Sequence, residues 1–155
     1  MIEALINKLI KEGKLAEQKT GIVQVEALLK ESIIDLEEAK KILRIADRAT
    51  YIMAYIAMLK AGRALLLLKG YRPTDGAQHK TVVEMTGAIL GEKYTDLVSH
   101  FETMRRKRNE LTYDAGTLLS GSESKQALDD ATLLVRNILK EAKSRNPQLE
   151  LNLQP

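Results

Sequence analysis

Between Tyr51 and Leu68 the chain carries only two charged side chains, Lys60 and Arg63. A run this long and apolar has two physical homes. One is a bilayer, which needs roughly 20 apolar residues for a spanning helix. The other is the centre of a helical bundle, where a helix is buried nearly all round. Two fixed cations deep in the span are costly in lipid, and no other segment is as apolar. The expectation is therefore a core helix over about 48–69 with no membrane role. Ala54, Ala57, Ala61, Gly62 and Ala64 leave room for neighbours to approach closely, and Asp47 is the expected N-cap.

The flanking sequence supplies those neighbours. Ile2, Leu5, Ile6, Leu9 and Ile10 recur at helical spacing until Gly13 ends the segment. After Gly21 a stripe of Ile22, Val25, Leu29, Ile33, Leu36, Ala39 and Leu43 predicts an amphipathic helix over about 22–45, with Glu26, Lys30, Glu37, Lys40 and Lys41 on the outer face. Gly70-Tyr71-Arg72-Pro73-Thr74-Asp75-Gly76 is a break. Helices are expected over 77–90 (Val82, Met85, Ile89), 92–113 (Tyr94, Leu97, Val98, Phe101, Met104) and 123–145 (Leu128, Ala131, Val135, Ile138, Ala142). Prolines apart from Pro73 occur only at Pro147 and Pro155, and β-branched alternation is almost absent. The reading is an all-α, antiparallel bundle of five to six helices. It forms one domain over 1–145, followed by a flexible tail over 146–155.

Composition narrows the chemistry. Absence of cysteine removes disulfides, thiol nucleophiles and cysteine-ligated metals. Two histidines, His79 and His100, are too few for a His-rich metal site, and the chain has no Gly-rich phosphate loop, GxSxG or HExxH. No metal and no cofactor are expected. Acidic Glu3 and the lack of a basic stretch before an apolar run argue against a signal peptide, so the cytoplasm is the expected location. A net charge of +3 is too small to name nucleic acid as partner, so local clustering matters more.

One cluster stands out: Arg105-Arg106-Lys107-Arg108-Asn109-Glu110-Leu111-Thr112-Tyr113. Cations near a helix C-terminus interact well with the macrodipole. However, the stripe Leu97, Phe101, Met104 continues onto Arg108. Arg108 is therefore expected to face a groove or interface, where a guanidinium can hold phosphate bidentately, while Lys107 faces water. Asn109 and Tyr113 share a face. Arg108 and Tyr113 diverge by roughly 140° on a regular helix, so a joint site needs a distorted helix end or a second copy of the chain. Tyr51 and Tyr55 read as core or interface residues, and His100 as a surface residue. Arg63 is expected to pair with a bundle carboxylate, Glu84 being a candidate, and His79 to cap its helix or contact an anion.

Two regions resemble the HEPN-domain proteins, a prokaryotic helical family often found in toxin–antitoxin systems. The first is Ala54-Tyr55-Ile56-Ala57-Met58-Leu59-Lys60-Ala61-Gly62-Arg63-Ala64-Leu65, followed by Leu68-Lys69-Gly70-Tyr71-Arg72-Pro73. Family members similarly have a Tyr/Ala-rich central helix and often a His shortly afterwards, where His79 stands. The second is Arg108-Asn109-x-x-x-Tyr113, similar to the family's Arg-polar-x-x-x-His motif with Tyr113 in place of the His. The resemblance implies catalytic roles for Arg108, Asn109 and Tyr113, with Arg105, Arg106 and His79 adding phosphate or RNA contacts. In ribonuclease members the Arg and His act at a composite site across a homodimer. Here it implies a homodimer, RNA or nucleotide as ligand, and at most a metal-independent endoribonuclease. Tyrosine, with an ordinary pKa near about 10, is a poor general base at neutral pH. Other family members are non-catalytic partners of small nucleotidyltransferases, a role that does not need the His. Both classes stay open at this point.

Overall fold

The computed structural model describes residues 2–74 and 78–151. Six α-helices lie in them: α1 (Ile2–Lys11), α2 (Ile22–Ile42), α3 (Asp47–Leu68), α4 (Gln78–Leu90), α5 (Thr95–Tyr113) and α6 (Gly121–Arg145). The chain is an all-α helical bundle.

The long apolar helix is its axis. α3 packs most extensively on α2, then on α6, and also touches α4 and α5. It is long and apolar enough to cross a membrane, but most of that stretch is buried inside the bundle. Tyr55, Ala57, Met58, Ala61, Ala64, Leu65 and Leu66 are wholly inaccessible. Gly62 is where the small-residue surface is used most tightly: a Cβ there would stand 2.7 Å from Val82 Cγ1 and 2.9 Å from Thr86 Oγ1. The partner helices bury the expected stripes, Val25, Leu29, Ile33, Leu36 and Ala39 on α2 and Leu128, Ala131, Val135, Ile138 and Ala142 on α6.

Helix directions follow from cross-contacts. Tyr94 with Asn137, His100 with Asp130 and Lys107 with Glu123 advance along α5 as they retreat along α6, so the two run antiparallel. The four residues between α2 and α3 force the same of that pair, which Ser32 Oγ ties by donating to the Ala57 carbonyl at 2.6 Å.

Several expectations change. A small antiparallel sheet, absent from the sequence reading, pairs β1 (Leu15–Glu17) with β2 (Tyr71–Pro73), Ala16 facing Arg72. Each strand is three residues long, too short to show alternation. Thr74 fixes it further, its hydroxyl donating to the Gly13 carbonyl at 2.6 Å. Gly13 and Gly70 flank these strands with φ of 72° and 90°, left-handed conformations that glycine adopts without a Cβ penalty. Asp47 is not an N-cap: Ala46 occupies that place without a side-chain cap. α2 stops at Ile42, where Arg44 turns left-handed (φ 68°). α5 begins at Thr95, after a 3₁₀ turn over Glu92–Tyr94. α6 starts two residues early because Ser120 and Glu123 form a reciprocal capping box. Ala77, where α4 was expected to begin, lies outside the described residues, as do 152–155 of the expected tail. The earlier part of that tail docks on the bundle: Leu149 is buried in the core and Leu151 packs against it.

Candidate anion site on the inner face of helix five

Phe101 and Met104 are buried on the inner face of α5, and Arg108, one turn on, is half-buried as the stripe predicted. Its Nη1 donates to the neighbouring Asn109 Oδ1 at 3.3 Å, while its Nε is buried without an acceptor. Across from it, Arg63 emerges from α3. The expected Arg63–Glu84 pair does not form. Arg63 Nη2 donates instead to the amide oxygen of Gln78 at 2.8 Å, and its Nε is likewise buried and unpartnered. Gln78 is the first residue of α4, and Arg63 meets the helix there rather than at Glu84.

His79 is the next residue. Its Nδ1 lies 3.0 Å from the Tyr55 hydroxyl, and the Tyr55 ring lies against Phe101, with centroids 5.9 Å apart. Burial, followed by the positive charges of Arg108, Arg63 and Arg105, holds the imidazole pKa below its ordinary value. Burial also pushes the Tyr55 phenol far up, against the pull of Arg105 and Arg108. Tyr55 is thus a neutral phenol at physiological pH, and we assign its hydroxyl as donor to Nδ1. That assignment leaves the ring hydrogen on Nε2. Gln78 and His79 sit in the first turn of α4, where the helix dipole adds positive potential.

Arg105 is different in character. Glu102 grips it bidentately, Oε1 with Nε at 2.6 Å and Oε2 with Nη2 at 2.9 Å, and that hydrogen bonding holds the Glu102 carboxyl below its usual range. Glu102 also takes an Nε–H bond from exposed Arg106 at 3.3 Å. Among the described residues the site therefore combines two guanidiniums partnered only by neutral amides, one neutralised by a carboxylate, and an uncharged imidazole.

The sequence motif is divided by the structure. Arg105, Arg108 and His79 come together, with Asn109 supporting Arg108. Tyr113 does not join them: α5 stays regular to its end, and Tyr113 is 77% exposed. The distorted helix end that would unite Arg108 with Tyr113 in one chain is therefore not taken. Arg63 was missed as a site residue because an isolated cation on an apolar helix reads as a buried ion pair. Tyr55 was missed because it reads as core, which it also is. Lys107 is a further correction. It does not face water but donates to the Leu118 carbonyl at 2.7 Å and lies 3.4 Å from Glu123, fastening the α5–α6 connection.

A second concavity, between α5 and α6, has the opposite polarity. It is lined by Tyr51, His100, Met104, Glu123 and Asp130 among others. Burial, then Glu123, Asp130 and Glu110, push the Tyr51 hydroxyl up to about 12. His100, read as a surface residue, is half exposed, with its Nδ1 3.2 Å from Asp130 Oδ2. No group of three or more metal-ligating side chains occurs among the described residues. No protein-family model matches the chain, and no curated protein is significantly similar to it.

Proposed function

We propose that this chain is a HEPN-like component, of toxin–antitoxin or defence type, that binds the phosphate groups of RNA or nucleotides through Arg108, Arg63 and His79. One observation carries this reading: Arg63 and Arg108 face His79 with no carboxylate partner among the described residues. Desolvated guanidiniums are costly unless they are paired, and a phosphate oxygen is the acceptor they match best. Arg105 and Arg106 add field around the entrance. We place the protein in the cytoplasm, where such ligands are abundant, and expect it to work as a homodimer in which the two Arg105–Tyr113 segments lie near each other.

A specific feature favours a second reading, that of a non-catalytic dimeric subunit partnering a nucleotidyltransferase. Tyr113 stands where the ribonuclease motif has its His, and it is exposed at the helix end rather than packed into the cation cluster. Ribonuclease activity, where it exists, then depends on His79 or on the partner copy. Growth separates the two classes. A ribonuclease arrests cells on expression and Arg108→Ala relieves the arrest, whereas an interaction subunit is harmless and co-purifies with its partner.

Binding is tested by titrating short single-stranded RNA and ATP into wild type, Arg108→Ala and Lys107→Ala at low and moderate salt. Affinity falls as salt rises, because counterion release drives much of the association. Arg108→Ala removes at least about tenfold, on the order of a charge-assisted hydrogen bond (about 1.5–3 kcal/mol), and Lys107→Ala much less. Equal losses, or no binding by wild type, count against the proposal.

A further inference from the structure

We infer that the site selects a phosphomonoester dianion, such as a phosphorylated RNA terminus or a nucleoside monophosphate, over the internal phosphodiesters of a nucleic-acid strand. The inference rests on the phosphate-binding reading above and names its ligand class.

The argument is a charge balance around His79. Three guanidiniums act on the ring: Arg108, Arg63 and Arg105. Glu102 neutralises Arg105 through two hydrogen bonds. Among the described residues, Arg63 and Arg108 bond only to the neutral amides of Gln78 and Asn109. Glu84 acts on Arg105 from α4, and the exposed Arg106 shares Glu102, so these two cations stand against two carboxylates. Among the described residues, two positive charges remain uncompensated. An internal phosphodiester brings one negative charge and leaves one guanidinium unneutralised. A phosphomonoester carries about −1.5 to −2 at pH 7 and three acceptor oxygens, which matches two guanidinium charges.

The donor inventory agrees. Among the described residues the guanidiniums of Arg63 and Arg108 keep N–H groups without an acceptor, their buried Nε–H among them, and the Tyr55 hydroxyl at Nδ1 leaves His79 Nε2–H as a third donor. A terminal phosphate offers an oxygen to each of the three. A diester has two of its four oxygens in ester bonds, so its two non-bridging oxygens must be shared among the three donors. Charge and donor number come from different atoms and lead to the same ligand.

The test compares one short oligoribonucleotide in three forms, with a 5′-phosphate, with a 3′-phosphate, and with hydroxyls at both ends, at one fixed moderate salt concentration. Adenosine monophosphate is added as a competitor. Wild type is expected to bind at least one phosphorylated form about tenfold more tightly than the hydroxyl form. Arg63→Gln and Arg108→Gln, checked for unchanged helicity, are each expected to abolish that advantage. Displacement by adenosine monophosphate points to free nucleotide as the source, and a preference for one end points to RNA termini. Equal wild-type affinity for all three forms overturns the inference, whatever the variants do. If that common affinity still depends on Arg108, the phosphate-binding reading survives alone. If wild type binds none of the probes, both fail.

Discussion

The behaviour of His79 follows from its neighbours rather than from imidazole itself. Its folded pKa is depressed by burial and by three arginines, whereas in the unfolded chain it takes up a proton near the ordinary value of about 6.5. Below that pH the unfolded state binds more protons than the folded one, so stability falls as pH falls, down to the folded pKa. Above about 6.5 the ring is neutral in both states and contributes no slope. Thermal melting followed from pH 8 to pH 5 is therefore expected to decline on the acid side, and His79→Gln is expected to flatten part of that decline. An unchanged slope in the variant would show that burial and the arginines do not hold His79 below its ordinary pKa. Sequence alone showed His79 as a candidate but not this environment, because the fields come from α3 and α5, 16 and more positions away in the chain. Arg108 was legible from the outset because a cation falling on an apolar stripe breaks a local pattern. Arg63 breaks a pattern too, but the choice between a carboxylate and an amide partner depends on how α4 lies against α3.

Helices were the most legible level. A stripe stepping by three and four residues sets both the existence of a helix and the face it buries, and α2, α3 and α6 follow their stripes closely. Ends were less legible. The start of α6 was misplaced although Ser120-Gly121-Ser122-Glu123 spells a capping box, because glycine and serine read first as loop. The β1–β2 pair was invisible for a different reason: residues 15–17 and 71–73 lie far apart in the chain and meet only once α1 packs on α4 and α3 takes its place in the bundle. Contact between α3 and α4 is the element-level feature most open to test. Gly62→Ala puts a methyl group within 3 Å of Val82 and Thr86, and overpacking of this kind costs about 1–3 kcal/mol. Chemical denaturation is expected to show that loss with an unchanged dependence on denaturant. A neutral or stabilising result would mean that α4 moves away from α3 freely, and the geometry holding Gln78 and His79 beside Arg63 would then be looser than described.

At the scale of the whole molecule, the inner face of α5 toward α3 and α4 is electropositive, while its flank toward α6 is lined by Glu123 and Asp130. A small net charge of +3 conceals this polarity, which is why composition could not name a ligand. The same division separates Arg108, turned inward, from Tyr113, exposed at the end of the helix. The central claim is that anion recognition belongs to Arg63, Arg108 and His79 and not to a contiguous Arg108–Tyr113 motif. It is tested most directly by nuclear magnetic resonance of the arginine Nε–H groups and the imidazole and tyrosine rings during titration with adenosine monophosphate. The account predicts that Arg63, Arg108 and His79 shift together along one saturable curve, with Tyr113 and His100 unmoved. Movement of Tyr113 and Arg106 along a weak, unsaturated curve, with His79 and Arg63 unmoved, would contradict it.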